Sequence, residues 1–125
     1  MRFWMATLLT DLLIPISMLI NGILYLKKPV KHINWLHGYR TERSMKNQES
    51  WEFAQKHFGG VCFRLGTVLT LLTCILMCSV FGANQKIVGL LGNGLGIAEG
   101  FMMIYVLTPT EKALKEIAEK EAHAN

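Results

Sequence analysis

The chain has 125 residues, enough for one domain, with 51% of them hydrophobic and a formal net charge of +4. The apolar residues gather into three long blocks, 3–26, 60–81 and 87–107, which leaves too little polar sequence to cover a soluble core of this size. A soluble globular protein is therefore excluded, and the mild basic excess gives no reason to invoke a nucleic-acid partner.

Each block exceeds the roughly 20 apolar residues that a helix needs to cross a ~30 Å hydrocarbon core, so the sequence predicts an all-α integral membrane protein with three transmembrane helices. The first block is too long for a secretory leader, carries Asp11, and is followed by no small-residue cleavage site. It is expected as a retained helix, kinked at Pro15. After it, the loop 27–59 holds Lys27, Lys28, Lys31, Arg40, Arg43, Lys46 and Lys56, and the tail 108–125 holds Lys112, Lys115 and Lys120. Arg2 and Lys86 are the cations expected on the other side. The positive-inside bias then places loop and tail in the cytoplasm and the N-terminus outside, in the cell membrane, with anionic membrane lipids as the first partner.

Within the loop, His32 to His37 reads as a short connector carrying an interfacial Trp35. From Thr41 an amphipathic helix of about 17 residues is expected, with Thr41 as N-cap. It would carry Ser44, Asn47, Trp51, Ala54 and Phe58 on one stripe and end at Gly59-Gly60, a C-cap and hinge before the second span. In the third span Gly92, Gly96 and Gly100 recur every fourth residue, a bare face suited to homo-oligomer contact. Thr108-Pro109-Thr110-Glu111 reads as a capping box that starts a tail helix with Glu111–Lys115 and Glu116–Lys120 pairs.

Polar residues inside spans default to functional hypotheses. Here they are Asp11, Arg64, Asn93 and Glu99. Depth counting predicts an Arg64–Glu99 ion pair, and places Asp11 level with Asn93 and Thr73 as hydrogen-bond partners. These groups also sustain a second reading of the chain, a small oligomeric transporter or channel using Asp11, Arg64 and Glu99. Cys62, Cys74 and Cys78 have no zinc or redox spacing, and the four histidines form no ligand set, so no metal and no cofactor is expected. No nucleophile–base pair or paired carboxylates are present, and the chain is read as a non-enzyme. A headgroup-acting site built on Arg40 would lack a base.

The loop motif is the most specific signal: Gly38-Tyr39-Arg40-Thr41, then Ser44, Asn47 and Trp51, then Gly59-Gly60 entering a span. It resembles the pattern of the SdpI-type family of bacterial membrane proteins, as do the three spans and the Pro-Glu segment after the last. Carried over by position, the characteristic residues are Gly38, Arg40, Thr41, Ser44, Asn47 and Trp51. The resemblance implies toxin immunity and signal transduction. The partners it implies are a secreted membrane-active toxin protein and a cytoplasmic transcriptional repressor held at the membrane.

Overall fold

The computed structural model describes all residues except His37 and Asn125, so the end of the expected His32–His37 connector and of the tail lies outside the described residues. Four helices follow one another: α1 Arg2–Lys27, α2 Gln48–Ser79, α3 Gln85–Tyr105 and α4 Leu107–Ala124. Among the described residues there is no strand. Three helices are long and apolar enough to cross a membrane. Their most apolar windows are only 17%, 33% and 17% buried. Rows such as Leu9, Leu13, Ile20 and Leu24 on α1, or Leu90, Ile97, Phe101 and Ile104 on α3, lie on the outside. Apolar surface of that extent requires lipid around it. The protein is an all-α membrane protein.

The expected boundary between motif helix and second span does not exist. α2 runs unbroken through Gly59 and Gly60 for 32 residues, about 48 Å at ~1.5 Å per residue. A hydrocarbon core of ~30 Å cannot contain it, so roughly its first three turns project beyond the span as a rigid platform. The helix also starts later than Thr41 predicts. Residues 42–46 form a turn and bend, closed by Met45 N–H donating to the Thr41 carbonyl at 3.0 Å. Asn47 is the N-cap, its side chain accepting from Ser50 N–H at 2.8 Å. A short polar side chain here satisfies one of the four orphan donors of the helix start.

Helix α1 packs along α2 through glycines. A Cβ on Gly22 would stand 2.5 Å from Phe63 N and 2.9 Å from the Gly59 carbonyl oxygen. One on Gly66 would stand 2.7 Å from Leu19 N and 3.1 Å from the Pro15 carbonyl oxygen. Gly59 and Gly66 are seven residues apart, as are Pro15 and Gly22, so each pair shares a face two turns apart. The backbones therefore touch, as small residues permit in membrane bundles. Gly59 serves as a contact surface, not a hinge. At the opposite end Trp4 clasps α2, donating Nε1–H to the Met77 carbonyl at 2.8 Å and meeting Phe81 edge-on.

On α3 the expected glycine face is partly used within the chain. A Cβ on Gly92 would clash with Thr7 and lie 3.2 Å from Asp11 Oδ2, whereas Gly100 faces open space. The Gly92 position is thus covered by α1, which shortens any face left for a second copy. α4 follows α3 after the single residue Val106, itself in helical conformation. Glu111 does not complete a capping box there, because its carboxylate is engaged by the loop.

The seam makes a graded prediction. Gly22→Ala should destabilise the fold by about 1–3 kcal/mol, since its new carbon meets backbone that cannot rotate away. Gly60→Ala, with nothing within 4 Å of the added carbon, should be neutral or stabilise by up to about 1 kcal/mol through helix propensity. Thermal unfolding in micelles reads both.

Candidate functional site

The loop motif folds onto the projecting end of α2. Gly38 adopts φ +99°, and a Cβ there would lie 2.9 Å from Gln55 Oε1 and 3.3 Å from the Trp51 ring. Both conformation and space call for glycine. The next residue, Tyr39, is gripped through its backbone: its N–H donates to Gln55 Oε1 at 2.7 Å, and its carbonyl accepts from Gln55 Nε2 at 2.8 Å. Gln55 is fully buried. One side-chain amide therefore closes both polar backbone groups of one residue.

Ser44 closes the turn. Its Oγ accepts from Thr41 N–H at 2.8 Å and lies within donating distance of the Tyr39 and Thr41 carbonyls, at 3.1 and 2.9 Å. Thr41 Oγ1 reciprocates by accepting from Ser44 N–H at 3.2 Å. Trp51, fully buried, donates its indole N–H to the Val30 carbonyl at 2.7 Å. Gln48 donates to the neighbouring Lys31 carbonyl. These two contacts fix the chain as it leaves α1. Arg40 is exposed and donates to the Trp35 carbonyl, and beside it Trp35 and Leu36 are 82% and 90% exposed.

The phenol of Tyr39 reaches α4. Its hydroxyl donates to Glu111 Oε1 at 2.8 Å, and Arg43 pairs with Glu111 Oε2 at 3.1 Å, the one ion pair among the described residues. Glu111 thus faces the loop and not Lys115. The Tyr39 ring lies tilted against Phe58, centroids 4.8 Å apart, and Phe58 meets Tyr25 of α1; Tyr39 also packs with Ala54 and Leu114. His57 shares a hydrogen bond with buried Thr110 at 2.9 Å. Loop, α1, α2 and α4 converge on Tyr39.

Of the sequence-predicted residues, Gly38, Thr41, Ser44, Asn47 and Trp51 are brought together as a lock, and Arg40 lies at its rim. Ser44 and Asn47 do not share a helical stripe with Trp51, because the helix begins only at Gln48. Tyr39, Gln55 and Glu111 were missed as site residues. Gln55 lies four residues after Trp51, on the same helix face, which was the available signal.

The intramembrane residues separate into two places. Arg64 is exposed and donates Nε–H to the Gly60 carbonyl at 3.3 Å. Glu99 is buried and accepts from Thr73 at 2.8 Å. The predicted Arg64–Glu99 pair is absent: Thr73 lies nine residues beyond Arg64, about 13 Å along α2 and half a turn round it. Thr73 therefore serves Glu99 and not Asp11, and Asp11 lies against Gly92 beside a groove that exposed Asn93 also lines. A channel built on Asp11, Arg64 and Glu99 together is not the arrangement. Among the described residues no group of three His, Cys, Asp or Glu could hold a metal ion.

A membrane bundle whose loop is locked onto a projecting helix defines the class of protein. The sequence matches the SdpI/YfhL protein family over residues 31–108, and the chain belongs to that family. It is also similar to a Bacillus subtilis (strain 168) protein described as "Uncharacterized protein YfhL", with 36% identity over 64 residues. That match covers 51% of this chain and 58% of the relative. No solved structure matches.

Burial pushes the Tyr39 phenol well above its ordinary range, and the Glu111 hydrogen bond adds to this. Burial would also raise the Glu111 carboxyl. Hydrogen bonds from Thr41, Tyr39 and Arg43, with the Arg43 charge, outweigh it and hold Glu111 below its ordinary value. A depressed folded-state value means that the Glu111 contribution is complete above the unfolded value of 4.5. It is lost as pH falls through the lower folded value.

Two predictions follow from the lock. Acidification below pH 4.5, the ordinary Glu111 value, should progressively release α4 from the loop, and Glu111→Gln should remove that acid step; fluorescence of a probe on α4 records it. Gln55→Ala leaves the Tyr39 N–H and carbonyl without partners and should cost about 2–6 kcal/mol in a denaturant titration, at ~1–3 kcal/mol for each of the two orphaned groups.

Proposed function

We propose that this chain is an immunity and signalling protein of the bacterial cell membrane, protecting against a secreted membrane-active toxin and presenting its loop to a cytoplasmic regulator. Family membership supports the reading, and so does the cation distribution, which favours a cytoplasmic side for loop and α4 under the positive-inside bias. The observation that carries it is the use made of the motif. Its hydrogen-bonding groups are spent inside the protein, on Gln55, Ser44, Asn47 and Trp51. The motif is therefore a frame, and what it frames is an exposed rim of Trp35, Leu36, Arg40, Glu42 and Lys46. An apolar pair beside mixed charges suits a protein partner or the headgroup layer.

Deletion of the gene should make the strain sensitive to a protein toxin secreted by itself or its siblings, with protection restored by the wild-type chain. A double change Trp35→Ala, Leu36→Ala should leave insertion and folding intact and abolish recruitment of the regulator to membranes. Equal survival of parent and deletion strains against every such toxin contradicts the reading.

A further inference from the structure

One buried polar cluster lies far from the loop lock. Asp11 of α1, Thr73 of α2 and Glu99 of α3 are 6%, 1% and 2% exposed, so each spanning helix contributes one group. Thr73 Oγ1 donates to Glu99 Oε1 at 2.8 Å. Asp11 Oδ2 and Glu99 Oε2 are buried without any hydrogen-bond partner, and they are the two such side-chain atoms among the described residues. The two carboxyls lie within electrostatic reach of each other.

Glycines on α3 make room for this. Asp11 Oδ2 points at Gly92, where a Cβ would stand 3.2 Å away, and Asp11 Oδ1 lies 3.8 Å from the corresponding point on Gly96. Gly92, Gly96 and Glu99 follow steps of four and three and share one helix face. Asp11 is thus seated in the bare notch of the face that carries Glu99. A groove of about 440 Å³ reaches it, lined by Thr7, Thr10, Asp11 and Asn93 with Phe3 and the small residues Ala6, Gly89 and Gly92. It opens beside the first turns of α1 and α3, the end opposite the loop.

Among the described residues no positive side chain neutralises the acids. Arg64 is on the far side of α2 and bonds its own helix, Arg2 and Lys86 are exposed, and the described ion pair is Arg43–Glu111. Two uncompensated carboxylates in a bundle surrounded by hydrocarbon are prohibitively costly. A positive charge bound beside them would relieve the repulsion.

We propose that Asp11 and Glu99 form an intramembrane binding site for one exchangeable cation, a proton or Na⁺, reached through the Thr7–Thr10–Asn93 groove. Thr73 orients Glu99 for it, and the site operates independently of the loop lock.

Dicyclohexylcarbodiimide tests the site on the full chain in lipid nanodiscs, because it reacts with protonated carboxyls in apolar surroundings by adding the acid O–H across its C=N bond. Peptide mapping should find the adduct on Asp11 or Glu99, with yield falling as pH rises. Slowing by sodium chloride but not by choline chloride identifies Na⁺ as the occupant, and equal rates in the two salts identify the proton. The proposal is overturned if neither acid is labelled in the folded protein while the detergent-unfolded chain is, or if labelling is indifferent to both pH and sodium.

Discussion

The arrangement at the loop end of this protein depends on a single side-chain amide. Gln55, fully buried on the projecting turns of α2, satisfies both the N–H and the carbonyl of Tyr39. Buried backbone groups must be paired somewhere, and a loop that lies on a helix has no strand to pair with. The amide supplies the pairing and so fixes the position of Tyr39 to within a hydrogen bond. The phenol then arrives at Glu111, and α4 is set by what the loop presents. Gly38 matters for the same reason, since a side chain there would press on the amide oxygen.

This lock works only if α2 is stiff between membrane and loop. Its stiffness has a plain source: Gly59 and Gly66, two of the three glycines in the helix, are held closely against α1 at Gly22 and Leu19, while Gly60 faces open space. The aromatic series Tyr25, Phe58 and Tyr39 continues the contact from α1 to the loop. A displacement of α1 would therefore reach Tyr39 and α4 through packed groups without a flexible joint. The proposed signalling role would use that path.

Much of this was legible in the sequence. Block length gave the number of long apolar helices, because hydrocarbon thickness sets a minimum length, but not the start of α2, which begins twelve residues before its apolar block. The motif holds Gly38, Thr41, Ser44, Asn47 and Trp51, of which Trp51 and Ser44 are buried, but it names neither Gln55 nor Glu111, which make the lock with Tyr39. Helix register was misread. Thr41 and Asn47 are both competent N-caps, and the choice of Asn47 follows from Ser44 being needed to close the Thr41 turn. Gly59-Gly60 looked like punctuation because a glycine pair carries two opposite meanings, a break or a close contact, and only the partner helix decides between them. The Arg64–Glu99 pair failed because depth was counted from an assumed start of the second span, and because depth alone ignores which side of the helix a residue faces. Gln55 escaped notice because a glutamine in a polar helical stretch ordinarily faces solvent.

The central claim is that the motif is a lock whose keystone is the Gln55–Tyr39 pairing. Hydrogen–deuterium exchange at the Tyr39 amide, in lipid bilayers, measures it directly. The account predicts exchange as slow as that of the amides in the projecting turns of α2, far slower than at exposed loop positions such as Lys31. Exchange of Tyr39 at the rate of an open loop would contradict it.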